Sequence, residues 1–145
     1  MEVQRECRPV TAVLAEAAAL LDSIAPDRRT LGDTQRLQAL ASARRLTGRL
    51  QALTALLAAE AHDTGAAERA VHLPLSSWLA VSQRATRREA TGLIRHGRRL
   101  TDLPMVKDAA LNGRIGNAQT QAIANTLADL PDDLSTPQRE RAEEL

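Results

Sequence analysis

The chain has 145 residues, 43% apolar and 1% aromatic, with 19 basic and 18 acidic side chains for a formal net charge of +1. That length suits one domain, burying about 70% of the surface its unfolded chain would expose. A single cysteine, Cys7, excludes an internal disulfide framework, and no apolar run approaches the roughly 18 residues of a membrane span. Charges at Glu2, Arg5, Glu6, Arg8 and Glu16 leave no apolar signal-peptide core, so a soluble, cytoplasmic protein without membrane contact is expected. Trp78 is the sole aromatic and nearly half the apolar residues are alanine, a composition that builds few strands. An all-α, multi-helix bundle follows, read as a single domain over residues 1–145.

The first element is a helix over about residues 9–24. Pro9 suits its first turn, and Val10, Val13, Leu14, Ala17, Leu20, Leu21 and Ile24 recur at intervals of three and four. Pro26, Asp27, Thr30 and Gly32 break it, and Asp33 or Thr34 can cap a long helix over residues 33–62. Its stripe is Leu37, Leu40, Leu46, Leu50, Leu53, Leu57 and Ala61, with Gly48 the weak point. Arg36, Arg44, Arg45 and Arg49 lie beside the stripe and are read as a solvated face, with phosphate contact as the lesser alternative. Asp63-Thr64-Gly65 ends this helix on a glycine suited to the left-handed position, and the stretch to Leu73 reads as a connection.

A helix-turn-helix-like pair follows over residues 74–100. Pro74 opens the first member, which carries Trp78 as a core anchor. Thr86-Arg87-Arg88-Glu89 fits a capping box, so the second member starts near Arg87, with Gly92 and Gly97 weakening it. A second pair over residues 105–130 breaks at Asn112-Gly113, and packing is its expected role. Thr136, as cap before Pro137, starts a last helix over residues 136–145. It has no C-terminal stop signal, so the chain is read as a fragment of a longer protein.

Charge is unevenly placed. Residues 84–99 hold six arginines against one acid, Glu89, a net +5, while residues 100–145 sum to −4. A basic second helix after a tight turn is the arrangement in which a helix enters the major groove of DNA. Arg84, Arg87, Arg88 and Thr91 would cluster at its leading end, with Arg95, Arg98 and Arg99 further along. Arginine suits both tasks there, because its planar fork matches guanine O6 and N7 and its permanent charge pairs with phosphate.

Catalytic and metal-binding constellations are not found. His62, His72 and His96 are not spaced four apart, and one cysteine cannot complete a Cys-rich zinc site. No glycine-rich phosphate loop follows a strand. The acids Asp132, Asp133, Glu140, Glu143 and Glu144 read as solvated surface. No catalytic residue, metal, cofactor or small-molecule substrate is therefore expected, and the chain is not read as an enzyme.

Several motifs recur in a familiar order: Asp63-Thr64-Gly65, Ser77-Trp78-Leu79-Ala80, Arg87-Arg88-Glu89-Ala90, Leu103-Pro104, Ala109 to Ile115 with Ala118-Gln119, and Ala128-Asp129-Leu130-Pro131. In this the chain resembles, over roughly residues 34–145, the N-terminal region of actinobacterial HNH-endonuclease-type proteins. That region is the 13E12 repeat family, or domain of unknown function 222. In that family a C-terminal HNH nuclease module follows; this sequence contains none, so no catalytic residue carries over. The resemblance implies a helical module that delivers a nuclease to DNA. Gly92 and Gly97 depart from the Ala-, Val- and Arg-rich run the family leads one to expect in the basic helix.

Two functions are weighed. The first is a non-catalytic module binding double-stranded DNA through Arg84, Arg87, Arg88, Thr91 and Arg95, with Arg98 and Arg99 behind them. The second is an interaction scaffold, with a homodimer formed through the long helix. Free exposure of the arginines on one convex face favours the first; neutralisation by the acidic C-terminal half favours the second.

Overall fold

In the computed structural model, residues 7–144 are described. They form eight helices: α1 Val10–Asp22, α2 Asp33–Asp63, α3 Ala66–Val71, α4 Leu75–Ser82, α5 Arg87–Thr101, α6 Pro104–Leu111, α7 Asn117–Ala128 and α8 Thr136–Glu144. Among the described residues there is no strand, and no helix is long and apolar enough to cross a membrane. The fold is all-α with one long helix, as composition and periodicity predict. Glu2, Arg5 and Glu6, and the last residue of the expected final helix, Leu145, lie outside the described residues.

The chain divides into two compact units, Met1–Leu37 and Gln38–Leu145. The first contains α1 and the turn after it. Arg8 and Glu16 pair at 2.6 Å, and Asp27 accepts from the Arg29 amide and guanidinium at 3.0–3.1 Å. None of the apolar residues of α1 is buried.

The second unit has two apolar clusters. In one, Ala52 and Ala55 of α2 pack with Leu100 of α5 and with Val106 and Ala110 of α6. In the other, Ala67 of α3, Leu75 and Leu79 of α4 and Ala90 of α5 come together, with Trp78 packed half-buried against them. Leu93 of α5 packs against both clusters. Among the described residues eight of the twelve buried apolar ones are alanine, so the helices cross at close range. Gly97 marks the tightest crossing: a Cβ there would lie 1.8 Å from the Ala55 carbonyl oxygen. It is thus a requirement of the α2–α5 contact and not the weak point its helix propensity suggests.

Three helix starts share one device. Gln35, Gln119 and Gln138 each reach back three residues, to accept from the amides of Gly32 at 3.0 Å, Gly116 at 3.1 Å and Ser135 at 2.8 Å. The carbonyls of Gly32 and Ser135 accept the first helical bonds, from Arg36 and Arg139. The caps of α2 and α8 are therefore Gly32, before the expected Asp33 or Thr34, and Ser135, one residue before the expected Thr136. The start of α6 is capped from a distance by Glu143 of α8, which accepts from the amides of Met105 at 2.9 Å and Val106 at 3.3 Å. The stretch after Gly65, expected to be a connection, contains α3. Gly65 itself is left-handed, at φ +64°, as its position predicts.

Candidate nucleic-acid interface

The capping box at the head of α5 is complete. Thr86 Oγ1 accepts from the Glu89 amide at 3.2 Å, and Glu89 Oε2 accepts from the Thr86 amide at 2.7 Å. These contacts, the backbone one foremost, hold the Glu89 carboxyl below its ordinary range. Glu89 is therefore charged and committed to the cap, within one turn of Arg87 and Arg88.

Between α4 and α5 the chain turns in four residues, Gln83 to Thr86. The Leu79 carbonyl accepts from the amides of both Gln83 and Ala85, at 3.0 and 3.2 Å. Arg84 loops out between them in the left-handed region, at φ +53°. Glycine adopts that conformation without steric cost, whereas a residue with a Cβ does not.

At about 100° per residue, Arg87, Arg88, Thr91, Arg95, Arg98 and Arg99 fall within a sweep of roughly 120° on the outer side of α5. Ala90, Leu93, Gly97 and Leu100 occupy the opposite side and are buried or half-buried. Arg84, Arg87, Arg88 and Arg95 are exposed, and among the described residues none of them forms an ion pair. Thr91 is exposed too, its hydroxyl donating to the Arg87 carbonyl at 2.9 Å. The two remaining candidates are differently placed. Arg98 lies 3.5 Å from the Asp63 carboxylate, a half-exposed pair worth at most about 1 kcal/mol. Arg99 is half-buried and donates to the Asn125 side-chain oxygen of α7. Among the described residues no ion pair joins an acid of the C-terminal half to the basic helix, and Glu143 accepts from the start of α6 instead.

Two clefts flank α5. One, of 560 Å³, opens toward α3 and α4 and is lined by His62, Glu68, Arg95, Arg98 and Asp102 among others. The other, of 620 Å³, opens toward α2 and α7 and is lined by Arg88, Arg95 and Arg99 with a row of amides. His96 lines the second cleft; burial first, and the Arg99 charge second, push its pKa below the ordinary value. Its Nε2 is buried without a hydrogen-bond partner. Of the basic residues on α2, Arg44 and Arg45 are exposed beside the start of α7, but Arg49 is not a solvated bystander. It donates to the Leu111 carbonyl at 2.6 Å, tying α2 to the end of α6.

No protein-family model, curated protein or solved structure matches the chain. Sequence reasoning missed the amide row of α7. Its signal was present: Asn117, Gln121 and Asn125 are four residues apart, which places them on one helix face.

Proposed function

We propose that this chain is a non-catalytic helical module that binds double-stranded DNA, with the outer stripe of α5 in the major groove and Arg84 at its edge. The observation that carries this reading is the group of four exposed arginines, Arg84, Arg87, Arg88 and Arg95, without an acidic partner among the described residues. They stand on a helix whose opposite side packs into both apolar clusters, which fixes its orientation. The motif order that resembles the N-terminal region of HNH-endonuclease-type proteins supports the same reading, as a module that targets a nuclease.

Binding to a randomised duplex pool, compared between the native chain and single Arg87→Ala and Arg95→Ala variants, tests it. Loss of a base-contacting arginine costs about 1–3 kcal/mol and relaxes the selected sequence, whereas loss of a phosphate-contacting one weakens all sequences alike. Unchanged binding in both variants contradicts the reading.

One observation favours the scaffold as a second reading. Leu40, Leu46 and Leu50 of α2 are 57%, 55% and 43% exposed and fall on one broad side of the helix, apolar surface left open among the described residues. A Leu40→Asp/Leu46→Asp variant that turns a dimer into a monomer in sedimentation would support it; a native chain that sediments as a monomer at all concentrations would remove it.

A further inference from the structure

We propose that the cleft between α2, α5 and α7 binds one phosphorylated nucleoside, its arginines holding the phosphate and its side-chain amides reading the base. If the nucleotide belongs to a DNA strand, the proposal rests on the duplex-binding reading; as a site for a free nucleotide it stands alone.

The cleft holds 620 Å³, within the range of about 300–1,000 Å³ typical of small-molecule sites. From α5 it receives Arg88, Arg95 and Arg99. The one acid in its lining, Glu89, is already engaged by the Thr86 amide at 2.7 Å. His96 is held toward its neutral form, so the guanidinium groups supply the local charge. Such a concentration of cations is complementary to a phosphate, which arginine takes with two parallel hydrogen bonds.

A phosphate alone would leave the facing wall unused. There α7 presents Asn117, Gln121 and Asn125, and α2 adds Gln51. Asn125 accepts from Arg99 through its side-chain oxygen, which leaves its NH2 group to donate elsewhere. Amides offer a donor and an acceptor side by side, the pattern that pairs with the edge of a base such as adenine. Guanidinium planes can stack on that base where a wall lacks large aromatic rings. A simple carboxylate ligand would need the arginines but not the amide row. At Gly92 the cleft is open: a Cβ there would meet no atom within 4 Å, so a ligand can approach the α5 backbone.

Three probes test this on the native chain: adenosine 5′-monophosphate, a fully paired short duplex, and the same duplex carrying one unpaired adenosine nucleotide. Two variants accompany them, with helicity checked by circular dichroism. Gly92→Leu fills the cleft from α5. Gln121→Leu removes an amide from the α7 wall of the cleft and no arginine of α5, and leaves paired-duplex binding unchanged.

The proposal expects either the monophosphate to shift the side-chain amide resonances of Gln121 and Asn125, or the unpaired nucleotide to tighten duplex binding about tenfold. Both effects disappear in the two variants. A shift without the duplex preference assigns the site to a free nucleotide; the preference without the shift assigns it to a nucleotide in a strand. Equal affinity for the two duplexes with no shift, or effects that persist in both variants, overturns the proposal. Paired-duplex binding that survives such a result leaves the DNA-binding reading standing, whereas monophosphate binding without any duplex binding sinks that reading alone.

Discussion

Arg84 holds a backbone conformation that costs a residue with a Cβ about 1–2 kcal/mol. Strain of this kind persists where the side chain serves a purpose or the surroundings enforce it. Arg84→Gly is expected to raise stability by about 1 kcal/mol in chemical denaturation while weakening duplex binding; a variant that gains stability and binds DNA as tightly as the native chain would show that the arginine has no role there. Gly97 makes the opposite demand. Gly97→Ala drives a methyl group onto the Ala55 carbonyl and is expected to cost about 1–3 kcal/mol, read as a lower melting temperature. His96 sets a pH window. Burial lowers its pKa in the folded chain, so the unfolded chain binds the proton more tightly. Its contribution is complete above its ordinary value of 6.5 and is lost as pH falls through the lowered one. Denaturation between pH 7.5 and 5 should show this loss, and His96→Leu should reduce it.

At the scale of elements, helix ends are settled by side chains that the sequence displays and that compete for the same cap. Thr86 and Glu89 were legible as a reciprocal pair because both members are strong capping types three residues apart. Gln35 and Gln138 were harder to read. Each caps from inside its helix, while Asp33 and Thr136 are stronger capping types by side chain but lie one residue too far along. The short helix α3 was invisible for a different reason: six residues nucleate poorly alone, and this one is held by burial of Ala67 beside Leu75 and Leu79. The cap on α6 comes from Glu143, thirty-eight residues away from Met105, and no local pattern could announce it. Glu143→Ala is expected to cost roughly 1 kcal/mol by exposing the start of α6, and to loosen α8, measurable as faster amide exchange at Met105 and Val106.

At the scale of the molecule, the Leu- and Ala-rich composition was sufficient to foresee an all-α fold, and helical periodicity located seven of the eight helices. Which face of α2 is buried was not legible: its buried residues are Ala52, Ala55, Ala58 and Ala59, none of them in the expected leucine stripe, while Leu40 and Leu46 stay exposed, because small side chains let α5 and α6 come close to the second half of the helix. The basic stripe was legible as a charge excess on residues 84–99. Its division into exposed arginines and those held by Asp63 and Asn125 depends on neighbours distant in sequence. The amide row of α7 faces those arginines only once the helices are packed.

The central claim, that α5 meets the DNA backbone and bases, is tested most directly by duplex affinity across a salt series, for the native chain and an Arg84/Arg87/Arg88→Ala variant of matched helicity. Each phosphate contact contributes about 0.9 to the slope of log affinity against log salt concentration. Steep salt dependence is expected in the native chain, with a slope shallower by about 1 to 3 in the variant. A native chain that fails to bind duplex at low salt, or a variant with an unchanged slope, would contradict it.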